Sequence, residues 1–429
     1  MQNVIDALTE RGFIDQMTSS DLREHASKPL KIYLGFDPTA DSLHLGSLVG
    51  IVALAWFQKF GHTPYALIGG STGKIGDPSG KSAERPLLSE KELAHNVASL
   101  TRFLQEILSF PHGPKLVVLN NDDWLGKFSL IDFLRDVGKH FRVGPMLAKE
   151  SVRARLESEE GMSFTEFSYQ LLQGYDFHHL NQHFGVTLQL GGSDQWGNIT
   201  AGTEFNRKVK GDQIYGLTFP LLTRSDGKKF GKSEEGAIWL SAEKLSPYRF
   251  FQYLFRVPDA DVIRLMKMLT FMDWTEIRAI EQSMGRSDYE PNSAQKKLAE
   301  EVTRFVHGEE GVAAALRVTA GIQPGAEAKL SSEVLKEIAA DMPHAFLPYE
   351  EVAGKKWIDI AVKIGFLPSK SEGVRLVKNG GAYLNNERID DPAFEIDQSH
   401  LIDGVYLLLS SGKKKKILLQ IDRQRDRHE

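Results

Sequence analysis

The sequence predicts an α/β protein built on a doubly wound parallel sheet, and three observations carry the prediction. Strand-like and helix-like stretches alternate along the first half of the chain. Leu30, Ile32, Leu34 and Phe36 alternate with other residues, whereas Leu45, Val49, Val52 and Trp56 recur at the helical spacing. The predicted strands run into turns rich in glycine, and such sheets bind ligands beyond the carboxyl ends of their strands. From Leu245 to about Gly321 the pattern is helical, and a small mixed unit follows. The expected architecture is a Rossmann-like parallel-sheet domain over 1–223 and an α-helical domain over 224–320. A linker at 321–350 and a small α+β domain over 351–429 complete it.

Composition sets the outer limits. A chain of 429 residues is long enough for two or three domains with separate cores, and 41% hydrophobic with 25% charged residues suits a soluble globular protein. There is no cysteine, which excludes disulfides and thiolate metal sites and is compatible with a reducing compartment. The longest useful apolar run, Leu48 to Phe57, is half of what a membrane span needs. Met1 to Phe13 carries Asp6 and Glu10 and lacks a secretory layout, so a cytoplasmic location is expected. The net charge of −5 gives no global sign of a nucleic-acid partner.

In chain order, residues 1–29 read as helices broken at Pro29, with Val4, Ile5, Leu8 and Phe13 as the apolar face. The first sheet strand leads into Gly35-Phe36-Asp37-Pro38-Thr39, and Asp41 or Ser42 can cap the helix that follows. His44, Gly46 and Ser47 then fall in the first helical turn, where unpaired N–H groups and the helix dipole favour an anion. An ordinary strand–turn–helix joint with a surface histidine is the plainer alternative. A strand at Pro64–Ile68 opens into Gly69-Gly70-Ser71-Thr72-Gly73-Lys74-Ile75-Gly76-Asp77, which lacks P-loop spacing but suits backbone contact with a ligand. A helix from Ser89 to Leu108 and a strand from Lys115 to Leu119 follow, and helical segments fill Ser129 to Glu160.

Ser163-Phe164-Thr165-Glu166 is a capping box that opens a helix running to about His179. Tyr169, Gln173 and Asp176 share one face of it, either as a solvated stripe or as a binding face. A buried strand, Val186–Leu190, leads into Gly191-Gly192-Ser193-Asp194-Gln195-Trp196-Gly197-Asn198, with an Asp suited to a ribose hydroxyl. Leu217–Leu222 is the last strand of the sheet. After it, Arg224-Ser225-Asp226-Gly227-Lys228-Lys229-Phe230-Gly231-Lys232-Ser233 reads either as a charged surface loop or as a mobile clamp on phosphates. Near the C-terminus two short helices, the second beside Lys370, Arg375 and Lys378, precede hairpins at Ala382–Ile389 and Tyr406–Leu419. Such a module suits the phosphates of structured RNA, or else packing and dimerisation.

Four stretches coincide in order: His44-Leu45-Gly46-Ser47, the Asp77 loop, Gly191-Gly192-Ser193-Asp194-Gln195 and Lys229-Phe230-Gly231-Lys232-Ser233. The first resembles the His-Ile-Gly-His signature of class I aminoacyl-tRNA synthetases. All four together resemble bacterial-type tyrosyl-tRNA synthetases over essentially the whole chain, and the C-terminal unit is similar to the small RNA-binding fold that family carries. The resemblance implies an ATP-dependent tyrosine–tRNA ligase that forms tyrosyl-adenylate and then tyrosyl-tRNA. It implies that Tyr33 and Asp176 bind the tyrosine hydroxyl, that Asp77, Tyr169 and Gln173 hold its ammonium group, and that Gln195 holds its carboxylate. ATP would meet Gly35, Asp37, Thr39, His44, Gly46, Ser47, Gly192, Asp194, Lys229, Lys232 and Ser233. His44, Lys229 and Lys232 would stabilise charge, with Lys81 and Arg85 as further pyrophosphate candidates.

Lys370, Arg375 and Lys378 would meet RNA. Mg2+ would arrive with ATP, no protein metal site being legible, and the family's homodimers bind one tRNA across both subunits. The chain departs from the family at Ser47, where a second histidine is usual, and at Leu34 and Gly50, where family members often have a polar or thiol group and a threonine. ATP-ribose contacts are therefore the least transferable. A tryptophan-specific relative is disfavoured by the Tyr33/Asp176 pair, since an indole offers only an N–H donor. An inactive, synthetase-derived RNA-binding scaffold would need neither the lysine loop nor the tyrosine pocket, and both are present.

Overall fold

The computed structural model describes residues 3–80, 88–227, 230–233, 236–322, 330, 334–335, 339, 342–412 and 415–422. The chain forms two compact units, Met1–Leu245 with Leu254–Val306, and Ser246–Tyr253 with His307–Glu429.

The first unit is built on a six-stranded sheet: β1 (Gln16–Met17), β2 (Lys31–Phe36), β3 (Thr63–Ile68), β4 (Val117–Asn120), β5 (Leu188–Gly192) and β6 (Tyr215–Phe219). The order is β1-β6-β5-β2-β3-β4; β2 to β6 are parallel and β1 alone is antiparallel, on β6. The order reverses between β2 and β5, which makes the crevice beyond their carboxyl ends the expected ligand site of such a sheet. The main helices are α1 (Val4–Glu10), α2 (Leu48–Lys59), α3 (Glu90–Ile107), α4 (Phe164–Phe184), α5 (Trp196–Lys210) and α6 (Asp259–Leu269). Helix α2 is apolar on all sides and buried along nearly its whole length. Helix α3 starts at a capping box, Ser89 with Glu92, worth about 1 kcal/mol.

Several expected boundaries need correction. The N-terminal stretch is not helical throughout: β1 interrupts it, because Asp15 and Thr18 donate to the otherwise unpaired edge of β6, and two residues are too few to show alternation. Strand β6 ends at Phe219 rather than Leu222, and β5 continues through both glycines to Gly192. Helix α4 runs past His179 to Phe184 and stops at Gly185, whose φ of 69° suits glycine. The polar residues His178, His179, Asn181 and Gln182 mask this continuation, yet His179 stacks on Trp124 with ring centroids 4.3 Å apart, and Leu180 is buried.

Two features fix α4 beneath the sheet ends. Near its N-terminus the buried Glu166 forms a two-pronged pair with buried Arg155, both contacts at 2.9 Å. Losing one partner would strand the other charge and cost about 3–5 kcal/mol. Further along, Gly174 meets Gly202 of α5; a Cβ on Gly202 would lie 3.5 Å from the Gly174 Cα and 3.2 Å from the Phe177 ring. The absence of side chains there brings Gln173 within reach of Asn198 on α5.

The second unit carries a five-stranded sheet of β7 (His344–Pro348), β8 (Ala382–Leu384), β9 (Glu387–Arg388), β10 (Tyr406–Ser411) and β11 (Lys415–Asp422), in the order β9-β8-β10-β11-β7. Helices α7 (Trp357–Lys363) and α8 (Lys370–Lys378) pack with it around Trp357, Ile360, Leu407 and Leu419. The expected hairpins form, and Asn385 and Asn386 supply the positive φ values, 50° and 71°, that a tight hairpin turn requires. Among the described residues no helix is long and apolar enough to cross a membrane.

Candidate active site

The first-turn reading of His44 changes in detail. Neither Asp41 nor Ser42 caps the turn; His44 does so itself, accepting the Gly46 N–H on Nδ1 at 3.1 Å, ahead of a short 3-10 turn at Leu45–Ser47 that leads into α2. One of the N–H groups expected to face an anion is therefore used internally. With Nδ1 accepting, Nε2 is the ring nitrogen left to donate at the outer edge. Gly46 is required here, since a Cβ would lie 2.9 Å from the His44 ring.

At the carboxyl ends of β2, β3 and β4 a buried polar cluster assembles. Asp176, 2% exposed, accepts from Asn121 Nδ2 at 2.9 Å and from Trp124 Nε1 at 2.7 Å. Tyr33 on β2 is 1% exposed, and its hydroxyl has no hydrogen-bond partner among the described residues. Burial first, then the Asp176 charge, holds its phenol well above the ordinary range, so it stays a donor. Tyr169 is likewise held neutral, chiefly by burial, and donates to Asp37 at 3.0 Å, while Thr72 donates to the other Asp37 oxygen at 3.1 Å.

Beside this lies an amide–carboxylate group. Gln195 Nε2 donates to Asp77 at 2.6 Å, and Gln173 Nε2 lies 3.3 Å from Gln195 Oε1. Asn198 Nδ2 sits among the acceptors of Gln173 at 3.0 Å, Ser79 at 3.2 Å and Asp77 at 3.3 Å. The structure thus brings Tyr33, Asp77, Tyr169, Gln173, Asp176 and Gln195 together, and it adds Asp37 through Tyr169.

Burial raises the Asp176 carboxyl to about 7; its bonds from Asn121 and Trp124 oppose the rise, and Asp37 adds to it. Folded Asp176 keeps its proton to higher pH than the unfolded chain. Its contribution to stability is fully present below about pH 4 and is lost as the pH rises through about 7.

Glycines let these strand ends close up. A Cβ on Gly69 would lie 2.3 Å from both Asp37 Oδ1 and Thr72 Oγ1, and one on Gly70 would lie 2.2 Å from Asn120 Oδ1. A Cβ on Gly35, by contrast, would meet nothing within 4 Å. Thr39 N–H donates to the Asp37 carbonyl at 2.9 Å. A Cβ on Gly192 would sit 2.6 Å from Asp194 Oδ1, so the β5 turn also relies on its glycine. Leu34 and Gly50 explain each other: a Cβ at residue 50 would lie 2.6 Å from Leu34 Cδ2, so the larger residue on β2 excludes a side chain on α2.

Lys232 is exposed at the start of a two-residue ladder, Lys232–Ser233 against Gly236–Ala237. Gly231, with φ of 87°, packs on the His44 turn, where a Cβ would lie 3.1 Å from the Gly46 nitrogen. Two of the expected signatures therefore touch. Lys81, Arg85 and Lys229 lie outside the described residues, as does the side chain of Ser233. On α8, Lys370 pairs with Asp359 at 2.7 Å, and Arg375 and Lys378 follow on the same helix.

Sequence reasoning gave no role to Thr72, Asn121, Trp124 or Asn198. Asn121 and Trp124 directly follow β4, and position after a parallel strand was the available signal.

Residues 25–322 match the family of class I tRNA synthetases (W and Y), and residues 334–419 match the tyrosine–tRNA ligase SYY-like C-terminal domain. The tyrosine–tRNA ligase of Protochlamydia amoebophila is 57% identical, covering 98% of this chain and 99% of the relative. A chloroplastic/mitochondrial tyrosine–tRNA ligase of Arabidopsis thaliana is 52% identical, covering 98% of this chain and 84% of the relative. Among solved structures, a C-terminally truncated mitochondrial tyrosyl-tRNA synthetase of Aspergillus nidulans superposes with a TM-score of 0.64 at 32% identity, covering 73% of this chain and 92% of that one. The chain belongs to the tyrosine–tRNA ligase family of class I aminoacyl-tRNA synthetases.

Proposed function

We infer that the protein activates L-tyrosine with ATP and transfers the tyrosyl group to tRNA(Tyr), and that the residues gathered above divide the work. The observation that carries the reading is the buried, unpartnered Tyr33 hydroxyl within electrostatic reach of Asp176. A neutral phenol donor beside a carboxylate acceptor suits a ligand hydroxyl that both gives and takes a hydrogen bond. Asp77, Tyr169 and Gln173 receive the substrate ammonium, and Gln195 orients its carboxylate. A carboxylate oxygen then attacks the α-phosphorus, the bond to the bridging oxygen breaks, and pyrophosphate leaves. No base is needed, because the nucleophile is already ionised.

Gly35, Asp37, Thr39, Gly46, Ser47, Gly192, Asp194 and Ser233 line the nucleotide, and His44, Lys229 and Lys232, with Lys81 and Arg85, stabilise its phosphate charge. In the second step a hydroxyl of the terminal adenosine attacks the carbonyl carbon and AMP leaves. Mg2+ enters on the ATP phosphates; Tyr169, Gln195 and Trp124 already engage the site carboxylates. The domain division proposed from the sequence assigns 1–223 to this chemistry, 224–320 to the lysine loop and helical domain, 321–350 to a linker and 351–429 to RNA. In that last domain Lys370, Arg375 and Lys378 meet phosphates. A cysteine-free chain suits the reducing cytoplasm, the setting we assign it.

The decisive assay is tyrosine-dependent exchange of labelled pyrophosphate into ATP without tRNA. Exchange with tyrosine and not with phenylalanine or tryptophan is expected; no exchange with any of them would favour the inactive scaffold. Binding also predicts a proton signal. Accepting the ligand hydroxyl requires ionised Asp176, whose proton is held to about pH 7 in the free site. Tyrosine binding near pH 6.5 should therefore release a proton, seen as a calorimetric enthalpy that varies with buffer ionisation heat. A buffer-independent enthalpy would remove Asp176 from the hydroxyl contact.

The homodimer is supported by exposed apolar side chains within residues 130–164: Phe164 is 75% exposed, Leu130 71%, Ile131 69% and Val143 61%. Single exposed apolar residues are ordinary, but several in one stretch of chain point to a protein contact. Charging it with Ile131→Glu and Phe164→Glu should yield a monomer in sedimentation velocity; an unchanged species would move the dimer contact elsewhere.

A further inference from the structure

The loop that carries Lys232 is tied at its root to a buried carboxylate of α6, and we propose that Asp261, with Arg264, is the positioning pair that sets this loop for the ATP step. The proposal rests on the reading of that loop as a phosphate clamp. Asp261 is 1% exposed, and both its oxygens accept the Ser225 N–H, at 2.9 and 3.2 Å, while Oδ2 accepts the Ser225 hydroxyl at 3.1 Å. One turn further along α6, Arg264 donates to the Thr223 carbonyl and lies 3.4 Å from Asp261 Oδ1. Residues 223 and 225 are thus stapled to a single helical turn.

The helix is itself a firm base. Val262, Leu265, Met266 and Leu269 are buried, and the Arg11 guanidinium donates to the carbonyls of Lys267, Thr270 and Met272 at its far end. The other root of the loop is fixed to the His44 turn. Ile238 N–H donates to the Gly231 carbonyl at 2.9 Å, and Leu45 N–H donates to the Ile238 carbonyl at 2.8 Å. Phe230, next to that root, is buried and its N–H donates to the Leu222 carbonyl at 3.0 Å.

The plainer alternative is that Asp261 merely starts its helix. Its partners argue otherwise: Pro258 occupies the N-cap, and the Ser225 donors come from outside the helix. Among the described residues Asp261 bonds to Ser225 and Arg264 and to no member of the tyrosine cluster, so the staple acts on ATP chemistry through the loop and not through the amino acid.

Asp261→Asn keeps shape but turns an amide donor toward the donors of Ser225 or Arg264, and Arg264→Met keeps the stem while removing the strap on Thr223. In the full-length protein each should slow pyrophosphate exchange at saturating tyrosine about ten- to a hundredfold. Tyrosine affinity without ATP, followed by equilibrium dialysis, should stay within about twofold, where a general loss of fold would lower both. In a Lys232→Ala background the cost of Asp261→Asn should be clearly smaller, because one of the groups the loop carries is already gone. Amide hydrogen exchange should rise across residues 223–233 in either variant and stay unchanged in α4. Equal loss of tyrosine affinity, full additivity with Lys232→Ala, or unchanged loop exchange would each overturn the proposal. A wild-type chain with no pyrophosphate exchange would instead defeat the proposed function, and the hydrogen-exchange comparison would still decide the staple.

Discussion

Replacing Lys232 with alanine is expected to slow tyrosyl-adenylate formation about a hundredfold, because one preorganised charge facing the departing pyrophosphate is lost. Tyrosine affinity should stay within about twofold. Lys232 is exposed on its ladder, whereas Asp176 and Asp77 take their donors from Asn121, Trp124 and Gln195. Pre-steady-state measurement of adenylate formation, with tyrosine binding measured separately, checks both halves. A matching loss of tyrosine affinity would show that Lys232 supports the fold of the pocket and not the phosphate chemistry.

Asp176→Asn should have a comparable effect on the other substrate, about a hundredfold in kcat/KM for tyrosine, or about 3 kcal/mol. The carboxylate takes two donors, Asn121 and Trp124, inside the core, and the ligand hydroxyl is the proposed third. An amide of the same shape turns one donor toward these donors, and a buried mispaired group bears its full desolvation cost. The loss should be far smaller for phenylalanine, which brings no hydroxyl, so discrimination between the two amino acids should narrow. Tyrosyl-tRNA synthetases are a familiar illustration of a site that rejects an analogue by leaving its own polar groups unpaired. The variant should also abolish the proton released near pH 7. Equal losses for tyrosine and phenylalanine would mean that Asp176 only maintains the pocket wall.

These outcomes depend unequally on sequence and on structure. Periodicity and punctuation were enough for the parallel sheet, because the strands from β2 to β6 are short and apolar, and β3, β4 and β5 run directly into glycine- or asparagine-bearing turns. The same local signals found the α4 face with Tyr169, Gln173 and Asp176, since i, i+4 and i+7 are neighbours on any helix. They could not find β1, whose two residues are strand only because β6 offers an unpaired edge. Nor could they identify the true cap of the His44 turn, where two nearby polar residues looked equally capable.

By itself the sequence determined which chemical groups stand at the strand ends: one phenol on β2, carboxylates and amides after β3 and β5, and lysines after β6. That information is local, and it survives in the order of residues. Only the tertiary structure decided how those groups are wired. Asn121 and Trp124 reach Asp176 across 55 and 52 residues, Asn198 lies among residues of two distant segments, and Asp261 holds the lysine loop from 36 residues away. Hydrogen bonds of that kind depend on which elements pack together, and a periodicity within one element has no means of recording its neighbour.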